Sequence, residues 1–295
     1  MAIVFVLGLI VGSFLNVVIW RLQTGESVAK GRSYCPRCRH QLAWYDLMPV
    51  LSFAMLRGRC RYCKKPISIQ YPLVELGTAM VFFLIANYQF PLLRQGFGGQ
   101  VISNEIAVGP AQFASLLYLF AIASLLIVIF VYDLKHFLIP DKILFPAIGL
   151  AFAWKVFEHV QFSQVSERGL VLLDPINMFF GFGIVNPLMN ALFAALIGFG
   201  FFLAVFAVSR GRWMGFGDVK LALFMGLFLG WPNLLVALFV AFVVGAIIGI
   251  VLISLKRKGL KSEVPFGPFL IFGTLAAFLW GDFLLQKYFE IIMFA

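Results

Sequence analysis

Charge is scarce in this chain. Only 12% of its 295 residues are charged while 62% are hydrophobic, a balance that excludes an ordinary soluble globular protein and places the chain in the polytopic membrane class. Acids are scarcer than bases: 13 Asp and Glu face 23 Lys and Arg, for a net charge of +10. In a soluble protein such an excess would point to nucleic acid. Here the lipid bilayer is the expected partner and nucleic acid is not, because basic residues collect in the cytoplasmic loops of membrane proteins. Residues 1–20 lack a basic start and a small-residue cleavage site and run directly into Arg21, which argues against a removable signal peptide and predicts a first transmembrane helix. Also missing are a glycine-rich dinucleotide fingerprint, a βαβ pattern around any cysteine and a clear internal repeat.

Apolar runs at 1–20, 71–93, 113–132, 142–160, 187–208, 219–230, 233–255 and 269–285 predict about eight transmembrane helices. The run at 219–230 is short, since about 20 residues are usually needed to cross; either its neighbours shield it or it continues past Trp231 and Pro232. Residues 161–186 are ambiguous, a loop with a re-entrant or interfacial piece interrupted by Asp174 and Pro175. An outer loop is expected over 94–112. The segment 21–70 carries ten Lys or Arg against two acids, Glu26 and Asp46, and the shorter basic stretches at 210–212 and 256–258 fall on the same side. All three are expected in the cytosol, with both termini outside. The expected fold is an all-α polytopic membrane protein with a small cytosolic domain, 21–70, between its first two helices.

All four cysteines lie in that domain, as Cys35-Pro36-Arg37-Cys38 and Cys60-Arg61-Tyr62-Cys63. Two CxxC pairs about twenty residues apart have the spacing of a four-thiolate Zn2+ site. A reducing cytosol argues against disulfides. With all four positions filled by sulfur there is no place for a catalytic water, so the metal is expected to be structural. The apolar and aromatic run from Trp44 to Ser52 packs either against the metal knuckles or against the membrane surface, and Asp46 and His40 read as structural.

Two acids stand beside long apolar runs. Asp133 closes the run at 113–132, and Asp218 lies in the turn Gly215-Phe216-Gly217-Asp218-Val219-Lys220. An ionised carboxylate at the edge of hydrocarbon costs roughly 2.5 kcal/mol or more, and one at a helix C-terminus also opposes the macrodipole. Such a cost implies a use. If the two acids meet, they share a proton; one can then activate water while the other protonates a leaving amide, the logic of an aspartic protease. Gly215 and Gly217 would leave room for an extended peptide beside Asp218. Asp141, next to Pro140, reads as a helix cap, and Lys135 and Lys220 read as snorkelling anchors. Acids in membranes also mark ion paths, so a multi-span ion-coupled transporter is the competing reading. It expects acids near the bilayer midplane and inverted repeats, which this sequence does not offer.

Taken together, these residues make the chain resemble the type IV prepilin leader peptidases, membrane aspartic proteases of the GxGD type. The similarity runs through Gly12 to Val18, both CxxC pairs with Trp44, Tyr45, Asp46 and Pro49 between them, and Tyr71 to Leu76. It continues through Asp133 to Asp141, Gly215 to Lys220 and Pro265 to Pro268. The resemblance implies that Asp133 and Asp218 are catalytic within a protease domain over 71–295. It implies prepilins or type II secretion pseudopilins as substrates, their short basic leader cut at the cytosolic face of a bacterial inner membrane. It also implies N-methylation of the new N-terminus with S-adenosylmethionine. Gly215, Gly217, Glu75, Asn16 and the Arg57-Gly58-Arg59 turn are candidates for substrate or cofactor contact, while Asn16 and Glu75 are equally suited to interhelical hydrogen bonding. Two departures from the family pattern are Leu47, where Asn is expected, and an expanded 161–186 stretch.

Overall fold

The computed structural model describes residues 1–28, 30–95, 110–166, 186–255 and 264–294. Most of the expected outer loop at 94–112, most of the ambiguous stretch at 161–186 and all of the basic stretch at 256–258 lie outside the described residues. Among the described residues, seven helices are long and apolar enough to cross a membrane. The chain divides into two compact units, Met1–Val131 and Tyr132–Ala295.

The first unit holds α1 (Ala2–Thr24), a single turn at Trp44–Leu47, α2 (Leu51–Met55), α3 (Gln70–Gln95) and most of α4 (Pro110–His136). Small residues decide how α1 meets α3. A Cβ at Gly8 would lie 2.5 Å from Ala79 Cα, and one at Gly12 would lie 2.7 Å from Glu75 Cα. Glycines four apart therefore bring the two backbones together, the close approach that membrane helices use in place of a hydrophobic driving force. Asn16 locks the register by donating to the Tyr71 carbonyl at 3.1 Å. Helix α1 ends at Gly25, whose φ of 73° suits a left-handed cap. Beyond it the buried Arg21 guanidinium donates to the carbonyls of Ser27, Val28, Lys30, Gly31 and Arg32. Arg21 is thus more than a topological charge: it folds the chain leaving α1 into a loop around its own side chain.

The second unit holds α5 (Asp141–Ser166), α6 (Pro187–Ser209), α7 (Phe216–Leu229), α8 (Asn233–Ser254) and α9 (Gly267–Phe294). With 14 residues, α7 is about 21 Å long, too short to cross about 30 Å of hydrocarbon. It survives because α5, α6, α8 and α9 all touch it, burying Val219, Leu221, Ala222, Phe224 and Met225. A Cβ at Gly226 would collide with the backbone of Ala194 and Ala195 on α6. The helix does not continue past Trp231: it stops at Gly230, φ 71°. There Asn190 of α6 accepts the Trp231 N–H at 2.6 Å and donates to its carbonyl at 3.0 Å. Of the two alternatives the apolar pattern left open, the shielded short helix is the one found, and the clamp that ends it leaves no mark in that pattern.

Lys220 is not a free snorkelling anchor. Its ammonium meets both oxygens of Asp141, at 2.7 and 2.8 Å, tying the first turn of α7 to that of α5. Because the pair is partly exposed, breaking it by Lys220→Met is expected to cost about 1 kcal/mol or less. A double-mutant cycle with Asp141→Asn, read by thermal unfolding in detergent, measures that coupling.

Candidate active site and metal centre

Asp133 and Asp218 are both buried, 4% and 7% exposed, and both belong to the second unit. Asp133 lies in the last turn of α4, where the macrodipole of its own helix opposes a negative charge. Gly267, the first residue of α9, stands directly against the Asp133 carboxylate. Asp218 sits third in α7. Ile139 packs on both Gly217, next to Asp218, and Gly267, so the openings of α7 and α9 meet beside the two buried acids.

The contribution of α9 was not foreseen. Pro265 to Pro268 entered the sequence reading only as a point of family resemblance, although a proline at the opening of a helix is a recognisable start signal. Gly267 leaves no margin, because a Cβ there would stand 2.5 Å from Asp133 Oδ2 and 3.3 Å from Ile139 Cδ1. Gly267→Ala must push the Asp133 carboxylate aside, and a misplacement of about 1 Å at a reacting group can cost about 10²-fold in rate. The variant is expected to fold, to keep its thermal midpoint within a few degrees and to lose activity on that scale, which a parallel melt and turnover assay would show.

The two glycines of the opening turn separate. Gly215 has open space, with nothing nearer to an added Cβ than the Gly217 nitrogen at 3.9 Å, in keeping with room for a peptide. Gly217 does not: its Cβ would stand 3.0 Å from Ile139 Cβ. Its missing side chain lets α7 close against the link between α4 and α5.

Asn16 and Glu75 lie in the first unit. Asn16 is spent on α3, and Glu75 accepts a hydrogen bond from the Val50 N–H at 2.8 Å. The interhelical alternative therefore describes Asn16, while Glu75 holds the loop between the cysteine pairs.

The four sulfurs of Cys35, Cys38, Cys60 and Cys63 all lie within 4.8 Å of one another, and the thiols are unbridged. The two pairs are built alike. In the first, the Cys35 N–H donates to the His40 carbonyl and Arg39 N–H to Cys35; in the second, Cys60 N–H donates to Lys65 and Lys64 N–H to Cys60. Arg39 and Lys64 both turn left-handed, at φ 56° and 58°. The amides of Cys38 and Arg37 point at the Cys35 sulfur, and those of Cys63 and Tyr62 at Cys60. Burial raises the Cys35 thiol, but its amide donors outweigh that and bring it to about 7. Four sulfurs gathered at this separation by two knuckles of the same build fit a four-coordinate metal ion. Asp46 braces the pair: burial raises its carboxyl, yet hydrogen bonds from Arg61, Tyr62 and the Ala43 amide hold it below the usual carboxylate range. His40 packs on Tyr62 with ring centroids 3.7 Å apart and the planes tilted by 35°.

Comparison with known proteins follows the same division. Residues 6–89 match the bacterial peptidase A24 N-terminal domain, and residues 120–250 match the type IV leader peptidase family. Over 311 residues the chain is 30% identical to the prepilin leader peptidase/N-methyltransferase of Aeromonas hydrophila, covering 97% of this chain and 93% of that relative. The chain belongs to the type IV leader peptidase family. Relatives bearing the same name include one from Myxococcus xanthus, 36% identical over 264 residues, with 88% of this chain and 65% of the relative covered. Another, from Pseudomonas aeruginosa, is 29% identical over 311 residues, 96% of this chain and 91% of the relative. No solved structure matches the chain. The N-terminal match encloses the four cysteines, and the leader peptidase match contains both buried acids. Membership in a peptidase family leaves the transporter reading without support.

Proposed function

We propose that the protein is a prepilin peptidase in which Asp133 and Asp218 form the catalytic pair, and that it also methylates the N-terminus it creates. One observation carries the reading: in a chain of the leader peptidase family, two carboxylates are buried at the openings of α7 and α9, two helix starts that pack on the same Ile139 side chain. In the proposed reaction, one carboxylate takes a proton from water as the oxygen attacks the scissile carbonyl. The carbon–oxygen bond forms first, giving a tetrahedral intermediate; the other carboxylate, protonated, then gives its proton to the departing nitrogen as the peptide bond breaks. Close packing at Gly267 holds the Asp133 side chain in place.

The proposed substrates are prepilins or type II secretion pseudopilins, cut at the cytosolic face of the bacterial inner membrane after the short basic leader. The open space at Gly215 suits an extended peptide lying beside Asp218. Zn2+ is the proposed metal of the four thiolates, since soft sulfur donors in a tetrahedral set favour it. Its contribution is to hold the two knuckles together. S-adenosylmethionine is the proposed methyl donor, its methyl group passing to the new terminal amine.

The test is to incubate the purified chain in lipid with a prepilin, with and without S-adenosylmethionine, and to weigh the products. Loss of the leader mass is expected in both, with one added methyl group only when the donor is present. An unchanged substrate mass would sink the peptidase reading; leader loss without the methyl gain would sink methylation alone.

A further inference from the structure

The chain between the two CxxC pairs leaves its apolar side chains uncovered. Residues 47–56 carry no charge, within a segment otherwise dense in Lys and Arg. Trp44 is 76% exposed, Leu51 58% and Met55 78%. Leu51 and Met55, four apart, share one face of α2, and Leu47 is exposed beside them. Of the two sequence-based alternatives, packing against the metal knuckles therefore fails for this ridge. Tyr45 turns back, with the Arg61 guanidinium 4.9 Å above its ring, and Phe53 lies half-buried against Gly58.

The height of the ridge is set by Glu75. The Val50 N–H, immediately before α2, donates to Glu75 Oε2 at 2.8 Å. Glu75 lies five residues into α3, about 7.5 Å past its first turn's start, and the apolar span of that helix begins at Gln70. Across the interface, Gly12 of α1 packs on the Glu75 backbone. From Gly12, α1 runs on without a charge for eight more residues to Trp20, roughly another 12 Å. Val50 is therefore tethered at a level where both neighbouring helices are built for hydrocarbon. Leu73 and Leu76, flanking Glu75 on α3, are themselves exposed, so the ridge continues a lipid-facing band. Backbone at this depth must be satisfied internally. The N–H groups of Leu51, Ser52, Ala54, Leu56, Arg57 and Gly58 all find carbonyls between residues 48 and 54.

We propose that residues 47–56 insert into the bilayer, with acyl chains covering Leu51 and Met55 and Trp44 at headgroup level. The metal domain is then docked on the membrane by a lipid-immersed hairpin, and the basic residues Arg57 and Arg59 that follow α2 meet anionic headgroups. The docking is independent of the catalytic assignment, because it concerns the first unit and is read without any cleavage assay.

Benzoylphenylalanine placed at Leu51 or Met55 of the full chain, reconstituted in phosphatidylethanolamine and phosphatidylglycerol vesicles, reports the occupant after illumination. A third probe at Lys64, an exposed position on the second knuckle, is the reference. Lipid adducts are expected at 51 and 55, on the order of tenfold above the yield at Lys64 and unchanged by an added prepilin peptide. Lipid yields at 51 and 55 no higher than at Lys64 would overturn the proposal. So would peptide adducts that displace the lipid adducts, which would make the ridge a substrate-docking surface instead.

Discussion

Exchanging either Asp133 or Asp218 for Asn is expected to lower leader cleavage by about 10²–10⁴-fold, the usual worth of a positioned general acid or base. The substitution suits the geometry. Asn matches Asp in shape and volume and carries no charge, so both buried positions stay filled and the fold is preserved. What it loses is the capacity to carry a proton. Because the two acids act on one proton inventory, the double variant is expected to fall no further than the lower single one, the non-additivity of groups that work as a unit. Asp141, paired with Lys220 and partly exposed, supplies the control: Asp141→Asn should leave cleavage within a few-fold. Turnover of prepilin in vesicles by each purified variant decides the matter. Near-normal rates in either single variant would remove that residue from the catalytic pair.

The two acids were legible in the sequence because a carboxylate beside twenty apolar residues has no cheap structural reason to be there. The short α7 was legible for a similar reason, its apolar run falling short of a span. Partners distant in the chain were not legible. Gly267 meets Asp133 only because α9 starts where α4 ends, and nothing in the local pattern of Pro265 to Pro268 names the acid it faces. Lys220 shows the same limit: beside a membrane, a lysine waiting to snorkel and a lysine bound to Asp141 have the same local sequence. Gly215 and Gly217 look alike in a GxGD turn, yet one borders open space and the other Ile139, a difference that only packing decides. Arg21 and Asn190 bind backbone carbonyls and amides, and backbone partners leave no mark in residue identity.

Joint replacement of Cys35 and Cys60 by Ser is expected to release about one equivalent of metal and to unfold the segment that carries the cysteines. The reason lies in what that segment buries. Among the described residues from 22 to 69, the only buried apolar residues are Cys35 and Cys60; the ridge at 47–56 faces outward. With so little apolar surface hidden, burial alone cannot offset the entropy of ordering the chain. The left-handed Arg39 and Lys64 add a local cost of roughly 1–2 kcal/mol each, which the unfolded chain does not carry. Metal binding has to supply the difference, and in small zinc peptides it contributes an apparent ~10–16 kcal/mol. Limited trypsin digestion should therefore leave the wild-type segment intact despite its many Lys and Arg, and cut it after chelation or in the double variant. Metal analysis runs in parallel. A metal-free wild-type protein that still resists trypsin would mean that four thiols at this spacing hold the knuckles unaided, and the zinc assignment would fall with it. Val50 supplies an internal reference, since its amide is tied to Glu75 on α3 and not to the sulfurs. Release of metal should therefore expose the knuckles at Tyr34–Gln41 and Arg59–Pro66 before it frees the loop at Val50.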